Sequence, residues 1–155
     1  MKKTWKLLLG FLAIPLAVGA LSALLSGGMA EYGAFLQPPL SPPAWVFPVV
    51  WTVLYLAMGL ASWLVLTSGE PPSRIRSAIT VYGLQLAVNF FWSILFFRFD
   101  RYLAAFLWLV LLWVLILVTL VRFYRIREAA GDLLVPYLLW VTFAGYLNFG
   151  VYLLN

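Results

Sequence analysis

Charged residues divide this chain of 155 residues into five apolar runs, at about 7–25, 44–66, 75–97, 102–123 and 133–154. Each is close to the roughly 20 residues that a helix needs to cross the hydrocarbon of a bilayer. Backbone N–H and C=O groups find no water there, so only helices and closed barrels span it. A barrel would show short segments of alternating polarity, whereas these runs are continuous and most of their connections short. The sequence therefore predicts an all-α integral membrane protein, a single five-transmembrane-helix bundle over residues 1–155. With 10% of its residues charged and 65% hydrophobic, the chain leaves no stretch for a separate soluble domain.

Lys2, Lys3 and Lys6 precede the first run, and the small residues Gly27, Gly28 and Ala30 follow it, as in a secretory leader. At about 19 residues the run is longer than a leader's apolar region, so it reads as a retained first helix. Eight of the ten basic residues (Lys2, Lys3, Lys6, Arg74, Arg76, Arg122, Arg125 and Arg127) fall on one side of a five-helix topology, and Arg98 and Arg101 on the other. The excess places the N-terminus in the cytoplasm and the C-terminus outside, for a multi-pass protein of a bacterial inner membrane. The net charge of +5 is then a topology signal with some attraction for anionic lipid, and no nucleic-acid partner is predicted.

Several chemistries lack their residues. With no Cys and no His, the chain offers no thiolate, no imidazole base, no ordinary zinc site and no proximal histidine for haem. The five acids (Glu31, Glu70, Asp100, Glu128 and Asp132) lie in loops or at helix ends. A proton- or sodium-coupled transporter keeps an ionisable group at mid-membrane depth, and none is found there. No metal site is expected.

The runs do carry uncharged polar and aromatic residues at helical spacing. In the second, Trp51, Tyr55, Gly59 and Ser62 share a face. In the third, Gln85, Asn89 and Ser93 align beside Trp92, and in the fifth Trp140, Phe143, Ala144 and Leu147 align. Apolar rings with a few hydrogen-bonding groups make a small-molecule site. The same residues also have plainer uses: Asn89 and Gln85 as interhelical hydrogen-bond donors and acceptors, and Trp5, Trp45, Trp63 and Tyr102 as interfacial anchors. Trp108 and Trp113 read as lipid-facing or packing groups, and Gly19-x-x-x-Ala23 is a small-residue pattern that allows close helix packing. The first loop, about 26–42, holds Tyr32, Phe35 and four prolines, and is too apolar for a free linker. It reads as a lid over the outer end of the bundle.

Three ordered motifs resemble the TspO/MBR family of tryptophan-rich sensory proteins, related to the mitochondrial translocator protein. They are Pro42-Pro43-x-Trp45-x-Phe47-Pro48-x-x-Trp51-Thr52-x-Leu54-Tyr55, then Gln85-Leu86-x-x-Asn89-x-x-Trp92-Ser93-x-x-Phe96-Phe97, then Pro136-Tyr137-x-x-Trp140-x-x-Phe143-Ala144-x-x-Leu147-Asn148. The resemblance covers essentially the whole chain. It implies a five-helix bundle, commonly a homodimer, that binds protoporphyrin IX and drug-like aromatic ligands. The implied pocket is lined by Tyr32, Pro42, Trp51, Asn89, Trp92, Trp140, Phe143 and Ala144, and helical spacing adds Tyr55 and Leu147. Family members often carry Trp-Tyr and Lys-Pro-x-Trp in the first loop, where this chain has Glu31-Tyr32 and Gln37-Pro38-Pro39-Leu40. A cation that could meet a porphyrin carboxylate is thus missing from the loop. At the cholesterol motif of the mammalian fifth helix this chain reads Phe149 and Leu153, so cholesterol is not an expected partner.

The leading expectation is a membrane receptor or carrier for tetrapyrroles, with a sensory or transport role. A planar ring would lie between the second, third and fifth helices, stacked on Trp51 and Trp140 and hydrogen-bonded by Asn89. No cofactor is required, and metal-free porphyrin is expected over haem. One alternative, implied by some bacterial relatives, is light-dependent breakdown of protoporphyrin with Trp51 and Trp140 as the candidate catalytic residues. Another is a structural membrane partner that holds only lipid.

Overall fold

The computed structural model describes residues 2–27 and 32–155, so Gly28, Ala30 and Glu31 of the first loop lie outside the described residues. The chain is all-helical, 81% helix, with no strand among the described residues. Its elements are α1 (Lys2–Leu25), α2 (Val46–Leu66), α3 (Pro72–Ser93), α4 (Tyr102–Ile126), a short α5 (Glu128–Asp132) and α6 (Val135–Leu154). Five stretches are long and apolar enough to cross a membrane: Thr4–Leu25, Val46–Leu66, Pro72–Arg98, Tyr102–Ile126 and Glu128–Leu154.

Those spans follow the five predicted runs and extend several of them. Helix α1 begins in the basic tail, and α3 begins at Pro72, where a proline costs no hydrogen bond in a first turn. The Glu128–Leu154 stretch is divided into α5 and α6 by a turn at Leu133-Leu134, just before Pro136. Neighbouring helices alternate in direction. At one end Arg74 of α3 reaches the carbonyl of Arg125 on α4, and at the other Arg98 reaches the carbonyl of Leu25 on α1.

Helices α1 and α2 touch through glycines. A β-carbon at Gly59 would collide with the carbonyl of Phe11 and lie 2.7 Å from Leu12 Cα. Pro15 supplies no N–H to that carbonyl, its partner in an unbroken helix, so α2 meets α1 where one backbone acceptor is already free. A β-carbon at Gly19 would collide with the ring of Tyr55. The small-residue pattern of the first run therefore serves packing within the chain. On α4, Trp108 donates to the carbonyl of Val88 on α3 and Trp113 to Thr142 on α6 (2.7 and 2.8 Å), so both rings join helices. Trp5 and Trp45 are exposed, as interfacial anchors would be.

A π turn, Ile94–Arg98, closes the third span. Within it Phe96 and Phe97 pack edge to face, with ring centroids 4.8 Å apart, Phe96 buried and Phe97 half-buried. The first loop docks onto this end. Phe35 packs on Phe96 and Tyr102, and Pro38 fills the space left by Gly150 on α6. The hydroxyl of Tyr146 donates to the Pro39 carbonyl (2.8 Å), and Asn155 pairs with the backbone of Leu36 in both directions.

Candidate functional site

Below the docked loop lies a cavity of about 420 Å³ between α1, α2 and α3. That volume falls within the ~300–1,000 Å³ usual for small-molecule sites. It exists because α1 presents Gly19, Ala20, Ser22, Ala23 and Ser26 where larger side chains would fill the gap. Opposite this wall stand Phe47, Trp51 and Tyr55 of α2, with Trp92, Ser93 and Phe97 from the third span. Trp51 lies stacked on Tyr55, with ring centroids 5.5 Å apart at 27°, and meets Tyr137 edge-on at 6.1 Å.

No charged side chain is among the residues lining this cavity. Its hydroxyls are partly committed: Ser22 donates to the carbonyl of Phe90 (2.7 Å), Ser26 to that of Ala23 (3.0 Å) and Thr52 to that of Pro48 (2.6 Å). Each keeps lone pairs that can accept a bond from a ligand N–H. Ala20, Ala23, Pro48 and Thr52 are exposed, so the cavity opens sideways between α1 and α2 toward the hydrocarbon. Arg98, adjoining the lining residue Phe97, is exposed and donates to the carbonyl of Leu25 (3.1 Å), beside the lining residue Ser26. A cation therefore stands at the rim of the cavity, on the third span.

Toward α6 the space nearly closes. A second cavity of about 30 Å³ is lined by Tyr32, Phe35, Trp92, Ala144, Leu147 and Asn148, among others. Phe47, Trp92 and Phe97 line both cavities and form the partition between them. Of the ten residues expected from sequence, Trp51, Tyr55 and Trp92 line the large cavity, and Tyr32, Trp92, Ala144 and Leu147 the small one. Pro42, Asn89, Trp140 and Phe143 line neither.

Each of those four has another role. Pro42 offers its carbonyl to the Tyr32 hydroxyl at 2.6 Å. Partial burial raises the pKa of that phenol above its ordinary value. Asn89 is almost fully buried in a polar chain across three helices. Tyr55 donates to Asn89 Oδ1 (3.0 Å), Asn89 Nδ2 donates to the Tyr137 hydroxyl (2.6 Å), and Tyr137 donates to Gln85 Oε1 (2.7 Å). Trp140 packs against Phe47 (5.8 Å) and Phe143 (5.7 Å), and its indole N–H is buried with no acceptor among the described residues. The large open space thus lies between the first, second and third spans, where the sequence led to a slot between the second, third and fifth. The reason is packing: Phe47 fills the gap toward α6, and Phe35 with Pro38 closes it from above.

Sequence reasoning passed over Phe47, Phe97 and the small face of α1. Phe47 stands inside the first motif four residues before Trp51, and that spacing was the available signal; Phe97 stands five residues after Trp92, inside the π turn, where α-helical spacing gives none. Trp92 is tied down by its indole N–H to Asn148 Oδ1 (3.0 Å), and Asn148 in turn donates to the carbonyl of Tyr102 (2.8 Å).

Five apolar spans and an aromatic-lined internal cavity define a multi-pass α-helical membrane protein with room for a small molecule among its helices. The TspO/MBR family model matches residues 11–154, and the chain belongs to that family. It is 41% identical over 124 residues to the tryptophan-rich protein TspO of Chlorobaculum tepidum, covering 80% of this chain and 78% of that one. It is 37% identical over 137 residues to protein CrtK of Rhodobacter capsulatus, covering 88% and 85%. A translocator protein of Sus scrofa is 33% identical over 155 residues, covering 98% and 92%.

Proposed function

We infer that the protein is a membrane receptor or carrier for tetrapyrroles of the protoporphyrin IX type, taken up in metal-free form. The observation that carries this reading is the uncharged cavity beside Trp51, open to the hydrocarbon and bordered by Arg98. A flat apolar macrocycle enters from the membrane between α1 and α2 and lies against Trp51 and Tyr55. The hydroxyls of Ser22, Ser26 and Ser93 border the ring, and a carboxylate reaches Arg98 at the rim. Rotation of Phe47 and Phe97 joins the two cavities and gives a larger ring access to Ala144 and Leu147. With no His or Cys in the chain, an iron in the ring would lack its usual axial ligands.

Titration of the purified protein with protoporphyrin IX, followed in the porphyrin absorbance, tests this reading. Saturable one-to-one binding is expected, and its absence would end it. An exposed ion pair contributes about 0.2–1 kcal/mol, so Arg98→Gln should weaken the free acid by about threefold and leave the dimethyl ester unchanged. Equal loss for acid and ester would remove Arg98 from the site and leave the cavity assignment standing.

A second reading, light-driven oxidation of bound porphyrin by dioxygen, draws on the Trp51, Tyr55 and Tyr137 ring cluster, which could carry an oxidising equivalent away from the ring. Under illumination the porphyrin bands should then bleach faster than with an inactive membrane protein. Equal rates would leave a binder only.

A further inference from the structure

At the opposite end of the bundle, the start of α3 and the end of α4 enclose an open groove of about 310 Å³. Its walls are Ser73, Arg74 and Ser77 of α3 with Arg122, Arg125 and Ile126 of α4. Arg74 and Arg122 are held in place across the two helices. Arg74 binds Glu70 Oε2 at 2.7 Å and the carbonyl of Arg125 at 3.2 Å, and Arg122 donates to the carbonyl and hydroxyl of Ser77 (3.1 and 2.9 Å). The pair of Arg74 with Glu70 is the only ion pair among the described residues, so Arg122 and Arg125 face the groove without a carboxylate partner. Three guanidinium groups against one carboxylate leave two positive charges around a cleft that also holds two serine hydroxyls.

We propose that this groove seats the phosphate of an anionic phospholipid headgroup. Guanidinium forks and hydroxyls are the donors that recognise phosphate oxygens. The location selects a lipid over a soluble phosphate. Arg122 lies one turn inside the last residue of a membrane span, and Ser77 five residues inside the first residue of the neighbouring span, which is headgroup depth. Ile126 adds an apolar wall on which an acyl chain can begin. The surplus charge favours a headgroup with a net negative charge over a zwitterionic one, as juxtamembrane arginines do with acidic lipids. Bound there, the lipid bridges α3 and α4 at the end remote from the cavity.

Native mass spectrometry of the whole chain, released from micelles doped with equimolar phosphatidylglycerol and phosphatidylcholine, tests the proposal. Wild type should retain phosphatidylglycerol selectively. The retained fraction should fall about fivefold in Arg125→Gln and about 30-fold in the double variant Arg122→Gln, Arg125→Gln. Arg125→Gln is informative even if the double variant misfolds, because the side chain of Arg125 makes no hydrogen bond to another helix among the described residues. The pair Arg76→Gln, Arg127→Gln removes the same charge outside the groove and should keep the lipid. Equal loss in both pairs would reduce the effect to general charge and overturn the site. Retention unchanged in Arg125→Gln, or complete displacement by millimolar inorganic phosphate, would overturn it as well.

Discussion

Trp51→Ala is expected to raise the Kd for protoporphyrin IX about 30-fold, which corresponds to roughly 2 kcal/mol, the loss typical of a buried aromatic anchor. The size follows from where the ring stands. Trp51 lines the 420 Å³ cavity and is braced from behind by Tyr55 at 5.5 Å and by the edge of Tyr137 at 6.1 Å. A ligand stacked on it therefore meets a wall that needs little ordering on binding. Trp140→Ala should have a much smaller effect, below about threefold, because Phe47 stands between that indole and the cavity. Absorbance of the porphyrin is the suitable signal, since quenching of protein fluorescence would change with the number of tryptophans. Equal losses in the two variants would place the ring across the partition, between α2 and α6. No loss in either would remove the tryptophans from the site.

The second large effect is on stability. Asn89→Leu keeps the volume near that of the amide but removes the acceptor of the Tyr55 hydroxyl and the donor to Tyr137. Each of these groups is buried, and a buried polar group left alone costs about 1–3 kcal/mol. Interhelical hydrogen bonds in membranes average nearer 0.6 kcal/mol, so the expected total is about 1–2 kcal/mol, read from denaturation in mixed micelles. Adding Tyr55→Phe removes the stranded hydroxyl and should restore part of the loss. Strict additivity of the two substitutions would show that Asn89 and Tyr55 do not work as a pair.

The polar chain also marks how far sequence could go. Gln85 and Asn89 announce themselves by their spacing on one face of an apolar helix, yet their partners Tyr55 and Tyr137 sit on two other helices. Single-helix periodicity shows which side of a helix is polar and is silent on what faces it. The five spans were legible because hydrocarbon thickness imposes one length on every crossing segment. The π turn was not, since nothing in Ile94-Leu95-Phe96-Phe97-Arg98 separates it from ordinary helix. The place of the large cavity was hidden for a related reason. The small residues of α1 look like packing residues, and between Phe11 and Gly19 they are. From Gly19 onward, over the next two turns, the same kind of residue also faces empty space. The closeness of Arg98 to Leu25 was hidden as well, since it depends on two helix ends meeting in space.

The backbone contact at Gly59 makes α1 and α2 a lever. Gly59 and Trp51 are eight residues apart, about 12 Å along the helix, so a tilt of about 5° about the Gly59 contact would move the helix at Trp51 by about 1 Å. The pair can widen at the Trp51 end while the backbone contact at Gly59 holds. Guests of different thickness could then be admitted by one small rotation, with Met58, next to the contact, left almost in place.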